Sequence, residues 1–156
     1  MNGPGAAADR VFRASRLEDL PRLVAFVDEG CGGIDDDARA DLRLAVEEVF
    51  ANIFQHGYAG GTGPVEIRVV RSGDRVAVTL ADRAPRFDPA SAPPPDLAAD
   101  ADAHRVGGLG WHLVRQVMDE VGWAPAAGGG NAYRLVRRIA AGTTDFLVGQ
   151  HEGIST

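Results

Sequence analysis

The sequence predicts an α+β fold, a mixed and mostly antiparallel sheet with helices over one face. Three observations predict it. Val65 to Val70 and Arg75 to Ala81 alternate apolar with polar or small residues around Ser72-Gly73-Asp74, as a β-hairpin does. Leu42, Val46, Val49, Phe50, Ile53 and Phe54 return at helical spacing along one long segment. Trp123 to Ala126 and Ala132 to Ile139 read as two closing strands around Gly128-Gly129-Gly130. With the segments between them, these give the order β-α-α-β-β-α-β-β, which fits a sheet covered on one face.

Each element has a local reason. Residues 1–9 begin Met1-Asn2-Gly3-Pro4-Gly5 and read as a loose terminus without a basic leader. Arg10 to Ala14 is a short strand carrying Val11 and Phe12. Ser15-Arg16-Leu17-Glu18 has the spacing of a capping box and opens the first helix. Pro21 is tolerated in a first turn. Leu17, Leu20, Val24 and Val27 form that helix's apolar face, and Gly30 to Gly33 stops it. Asp35 to Asp37 cap the second helix, which runs to about His56 and gives way to a glycine-rich loop, Gly57 to Pro64. The third helix is expected from about Leu109 to Val121. Residues 10–140 make one domain, and 141–156 form a tail that is polar apart from Phe146-Leu147-Val148.

Composition narrows the function classes. The chain has 156 residues, 45% of them hydrophobic, enough for one globular domain with a core. A formal net charge of −6 argues against a nucleic-acid surface. One cysteine, Cys31, forbids an internal disulfide framework, fits a reducing cytoplasmic compartment and reads as structural. No apolar run reaches membrane length. His112 and His151 have no partners at zinc-ligand spacing.

Three segments carry chemistry. In Glu48-Val49-Phe50-Ala51-Asn52-Ile53-Phe54-Gln55-His56-Gly57-Tyr58, a carboxylate, a carboxamide and an imidazole stand four residues apart. At ~100° per residue they fall within ~80° of each other on one helix stripe, opposite the apolar face. Taken alone, that is also what an amphipathic helix shows to water. A carboxylate beside a carboxamide nevertheless suits a magnesium site and a proton-accepting step. The second segment, Asp82-Arg83-Ala84-Pro85-Arg86-Phe87-Asp88-Pro89, puts a carboxylate at a strand terminus before a proline turn. The third, Gly107-Gly108-Leu109-Gly110, precedes the helix beginning at Trp111, where backbone N–H groups could approach an anion.

In this order the three segments resemble the nucleotide-binding boxes of the GHKL ATPase superfamily, and most closely those of the RsbW-like anti-sigma factor serine kinases. That family's boxes read E-x-x-x-N-x-x-x-H-[AG]-Y, D-x-G-x-x-F-[DN]-P and G-G-x-G-x-x-L-[VI]-[RK]-x-x-[MF]-D. The first is complete from Glu48 to Tyr58 and the third from Gly107 to Asp119. The second departs at Ala84, where the family has Gly. The resemblance covers roughly residues 10 to 139. It implies the two-layer α/β sandwich of the Bergerat ATP-binding fold.

The resemblance also implies roles. Glu48 would be the general base and Asn52 the magnesium ligand. Asp82 would accept from the adenine amino group, beside Ala84 and Phe87. Gly107, Gly108, Leu109 and Gly110 would cradle the phosphates, with His104 and Arg105 just before them. His56 would support the site. Pro85 biases Ala84 towards extended backbone, where an added methyl is mild, and Arg86 is expected in solvent. Residues 90–106, with Pro93 to Pro95 and three aspartates, read as a lid too acidic to grip phosphate itself. Trp111 is expected partly in the core and partly facing a partner, and Asp119-Glu120 as a solvated pair.

The implied function is an ATP- and magnesium-dependent serine/threonine kinase. It would phosphorylate a STAS-domain anti-anti-sigma protein and hold a sigma factor or another switch target, and the resemblance also implies a homodimer. The alternative is a nucleotide-dependent module that sequesters a partner without phosphorylating it. A histidine-kinase catalytic domain ranks last, because the chain contains no helical hairpin with a phospho-acceptor histidine.

Overall fold

A computed structural model describes residues 8–91 and 106–140 of the chain. The expected loose terminus (except residues 8 and 9), most of the expected lid and the expected tail lie outside those residues.

The elements follow the anticipated order. They are β1 (Ala8–Ala14), α1 (Leu20–Gly30), α2 (Asp36–Asn52), β2 (Val65–Ser72), β3 (Arg75–Asp82), α3 (Val106–Val117), β4 (Glu120–Pro125) and β5 (Asn131–Arg138). The strands form one sheet in the order β1-β2-β3-β5-β4, antiparallel at every pairing.

Register decides which face is covered. Ile67 pairs with Leu80 and Val69 with Val78, while Val78 and Leu80 pair across β5 with Leu135 and Tyr133. All six are buried. Because side chains alternate along a strand, they form one continuous apolar face. The opposite face carries Glu66, Arg68, Thr79 and Arg134, none of them buried. The helices therefore cover one face, and α2 supplies Leu42, Ala45, Val46, Val49, Phe50 and, just beyond it, Ile53 and Phe54 to the same core. Trp111 belongs wholly to that core, 2% exposed and 5.3 Å from the Tyr133 ring, and shows no partner-facing part. Cys31 is buried too, and burial pushes its thiol pKa up, as befits a structural residue.

Several boundaries differ from expectation for physical reasons. Asp19, not Glu18, closes the turn before α1: its Oδ2 accepts from Ser15 N at 2.9 Å and Arg16 N at 3.2 Å. One 3-10 turn, Leu17–Asp19, comes first and moves the reach-back position along by a residue. At its other end α3 stops at Val117. Glu120 and Val121 already pair with β5, and the Asp119 carboxylate accepts Arg138 N at 2.6 Å, so Asp119-Glu120 is not a helical acidic pair.

The N-terminus of α2 is tied to the far end of the chain. One Asp35 oxygen accepts Ala38 N at 3.1 Å, the N-cap bond, and the other accepts Ala140 N at 3.1 Å. These bonds, the Ala140 one first, hold its carboxyl pKa below the ordinary value. Arg137 of β5 adds a second tie to Asp41 of α2 at 3.0 Å. Asp35→Ala is expected to cost about 1 kcal/mol or somewhat more, read as a lower urea midpoint at neutral pH. Since a lowered folded pKa stabilises above the unfolded value and is lost as pH falls through the folded one, the penalty should shrink below the ordinary aspartate range.

Candidate functional site

Helix α2 brings the first pair together. Glu48 is half-buried and Asn52 is 6% exposed, one turn apart on the side facing α3. A Cβ placed on Gly110 would lie 2.8 Å from Glu48 Oε2 and 3.3 Å from Asn52 Nδ2, so both side chains converge on that glycine. α3 begins at Val106, earlier than expected, and Gly107, Gly108 and Gly110 lie inside its first two turns instead of ahead of it. The first-turn N–H groups of a helix have no partners within it, which keeps those of residues 106–109 free of intrahelical bonds. Gly110 has a different reason to be glycine: close packing against Glu48 and Asn52. His104 and Arg105 lie outside the described residues.

Burial pushes the Glu48 carboxyl pKa up, with the neighbouring Glu47 charge adding to it. Both polar atoms of Asn52, Oδ1 and Nδ2, are buried without a hydrogen-bond partner among the described residues. Orphaned buried amides are costly and uncommon. The expected third member of the stripe, His56, follows on a different kind of turn. Ile53–Gly57 is a π-helical turn, closed by Tyr58 N to Ile53 O at 2.8 Å. His56 stands on this turn and is exposed, unlike Asn52.

Asp82, at the end of β3, is the second centre and is 3% exposed. Its Oδ1 accepts from Ala84 N at 3.0 Å, Asn131 N at 3.1 Å and Asn131 Nδ2 at 2.9 Å. Its Oδ2 is buried and unpartnered among the described residues. Burial raises the pKa of this carboxyl, and the bonds from Asn131 and Ala84 work against that. Phe87 is 43% exposed; its N–H reaches Asn131 Oδ1 at 2.8 Å. Arg86 is exposed, as expected.

Ala84 is buried and its φ is not positive, so its methyl carries no backbone penalty. The methyl has a counterpart: a Cβ on Gly57 would sit 2.9 Å from Ala84 Cβ. Glycine at 57 leaves the space that alanine at 84 fills.

Sequence reasoning missed two residues here. Asn131 reads as a turn residue after three glycines, and nothing local marks it as the partner of Asp82. Tyr58 was seen only as the end of a motif. Its hydroxyl accepts from Arg83 N at 2.9 Å and donates to Pro64 O at 2.7 Å, which fixes the glycine loop against the end of β3. Gly130, with φ 94°, is also obligatory, because a Cβ there would overlap the Asp82 carbonyl oxygen.

Comparison with known proteins identifies the family. Residues 13–137 match the family model of the histidine kinase-like ATPase domain. The chain belongs to that family. It is 31% identical over 94 residues to the serine-protein kinase RsbW of Listeria monocytogenes serovar 1/2a, covering 57% of this chain and 60% of that one. To the serine-protein kinase RsbW of Bacillus pumilus it is 37% identical over 89 residues, covering 52% and 54%. The chain thus spans roughly three-fifths or less of the curated relatives it matches. The antiparallel sheet with helices on one face is the fold this family requires, and membership implies use of ATP. No helix among the described residues is long and apolar enough to cross a membrane.

Two outcomes are expected. Asp82→Asn preserves the acceptor that holds three donors and removes a charge whose burial is unfavourable. A carboxyl whose folded pKa is raised stabilises below its unfolded value, and that contribution is lost as pH rises through the folded pKa. The variant should therefore melt no lower than the parent at pH 7 while losing nucleotide affinity; thermal melts paired with titration calorimetry check both. Gly57→Ala should destabilise by about 1–3 kcal/mol through overpacking, and Ala84→Gly in the same chain should recover most of it, as a double-mutant cycle would measure.

Proposed function

We propose that the chain is an ATP- and magnesium-dependent serine/threonine kinase of the anti-sigma factor type, acting on a STAS-domain anti-anti-sigma protein in a partner switch. The observation that carries this reading is that three buried polar atoms, Asp82 Oδ2 and both ends of Asn52, have no partner among the described residues, with a half-buried Glu48 one helical turn from Asn52. An acceptor oxygen at the end of β3 suits an exocyclic amino group. A buried carboxamide oxygen suits a hard cation.

Bound Mg·ATP supplies the transferable phosphoryl group and the charge that offsets its phosphates. Asp82, with Ala84 and Phe87 alongside, would orient the base. Asn52 would hold the cation. The backbone N–H groups of Gly107, Gly108, Leu109 and Gly110 would bind the phosphates, with His104 and Arg105 preceding them in the sequence. Glu48 would take the proton of the substrate serine hydroxyl, the γ-phosphoryl group passing to that oxygen and ADP leaving. Phosphoryl transfer asks a protein chiefly for such positioning and charge stabilisation. His56, exposed on its π turn, takes no part in this account.

The partners in this reading are the STAS-domain substrate and a sigma factor or other sequestered target, in the cytoplasm, with a homodimer as the working assembly and no role for nucleic acid or membrane. Residues 10–140 form the catalytic domain. The names of the serine-protein kinase relatives and the family's use of ATP support it.

The test is intact-mass spectrometry of a STAS-domain protein encoded beside this chain, after incubation with the chain and Mg·ATP. A gain of about 80 Da, one phosphate, that disappears with Glu48→Ala is the expected result. No gain, with ATP bound and a nucleotide-dependent complex formed, would replace the kinase with a sequestering module. A transfer undiminished in Glu48→Ala would remove Glu48 from the base role. Because burial raises the Glu48 pKa, transfer should also decline on the acid side at a pH above the ordinary glutamate value of about 4.3.

A further inference from the structure

The two halves of helix α3 are held by different means. From Trp111 onward the helix is anchored in the core. Trp111 is 2% exposed with its ring 5.3 Å from that of Tyr133, Val114 is fully buried, and Met118, just past the helix, is buried as well. The Arg115 guanidinium also donates to the Pro89 carbonyl, beyond the end of β3. The first five residues, Val106 to Gly110, include three glycines, Gly107, Gly108 and Gly110, which bring no side chain to bury. Glycine and proline are the costliest residues in a helix interior. The first turns are thus the weak end of a helix whose second half is fixed.

Those weak turns lie over the proposed magnesium ligand. Gly110 packs so close to α2 that a Cβ on it would lie 2.8 Å from Glu48 Oε2 and 3.3 Å from Asn52 Nδ2. Both polar atoms of Asn52 are shut off from solvent there and have no partner among the described residues. An atom that a water molecule cannot touch is closed to a hydrated cation as well. The phosphates meet a second conflict. In a continuous helix the Gly110 N–H bonds to the Val106 carbonyl, so it is spent while residues 106–110 stay helical. Both conflicts end if those residues unwind up to the anchored Trp111. The stranded Asn52 amide favours that change, because a buried amide without partners is costly.

We propose that residues 106–110 are a retractable helical cover: wound, they close over Asn52 and press on Glu48; unwound, they admit the cation and release N–H groups to the phosphates. The inference rests on the proposed nucleotide site and adds its mode of entry.

Amide hydrogen exchange of the full chain, read residue by residue without nucleotide, tests the cover. Corrected for intrinsic rates, the Gly110 and Trp111 amides should exchange at least about a hundredfold faster than those of Val117 and Met118, because local opening needs far less free energy than global unfolding. Equal protection of the two pairs would overturn the proposal. Stopped-flow binding of Mg·ADP carrying a ribose-linked fluorophore tests the entry. The observed rate should level off as nucleotide is raised, limited by unwinding. Gly108→Ala, which favours the wound form, should slow Gly110 exchange by about two- to fivefold and lower that plateau. The plateau does not depend on how tightly the phosphates are held, so a lost phosphate contact would not mimic the effect. Slower exchange with an unchanged plateau, or a rate that climbs in proportion to nucleotide throughout, would also overturn the proposal. If no Mg·ADP binds at all, the nucleotide site itself fails and the inference with it, whereas binding with equal protection removes the cover alone.

Discussion

The carboxylate of Asp82 is the constraint on which the rest of this site depends. It is a charge-bearing group placed where water is nearly excluded, and such a group is tolerated only if hydrogen bonds replace its hydration. Strand β5 and the loop after β3 supply them, three on one oxygen. Most of the local irregularity serves that arrangement. Gly130 lets β5 approach the backbone at Asp82 and Arg83. Asn131 reaches across to Pro85 and Phe87 and so shapes the loop as well. Trp123 on the edge strand fixes the far side of the same amide.

The second centre is organised by helix packing. Glu48 and Asn52 stand on the side of α2 turned towards α3, which lies against them closely enough that Gly110 has no room for a side chain. The core beneath, Val46, Val49, Phe50 and Ile53, fixes the rotation of α2 and with it the direction of both polar groups. The π turn then ends the helical phase, and the Tyr58 hydroxyl bridges Pro64 and Arg83. The two centres are therefore linked through the backbone between them, where Gly57 and Ala84 meet.

The fold and the Glu48–Asn52 pair were legible in the sequence because both rest on short-range periodicity. Four residues on a helix is one turn, and alternation marks a half-buried strand, whatever the tertiary setting. The π turn that carries His56 was not legible, because no propensity rule announces one. The glycines of the third segment were read as a helix approach, whereas they lie within α3, because the need for glycine at 110 comes from α2, some sixty residues earlier in the chain. Asn131 was invisible for the same reason: its meaning lies in bonds to Asp82, Pro85, Phe87 and Trp123, which only the register of β3, β5 and β4 brings together. Ala84 looked like a departure to be excused. The structure gives it a partner in Gly57.

The most direct measurement is a crystal structure of the chain with magnesium and a non-hydrolysable ATP analogue. The account predicts the adenine amino group on Asp82 Oδ2, with the Asn131 bonds to Oδ1 intact, and the cation on Asn52 Oδ1. A base bound elsewhere, or one seated with Asp82 Oδ2 still unpartnered and Asn52 away from the cation, would contradict it.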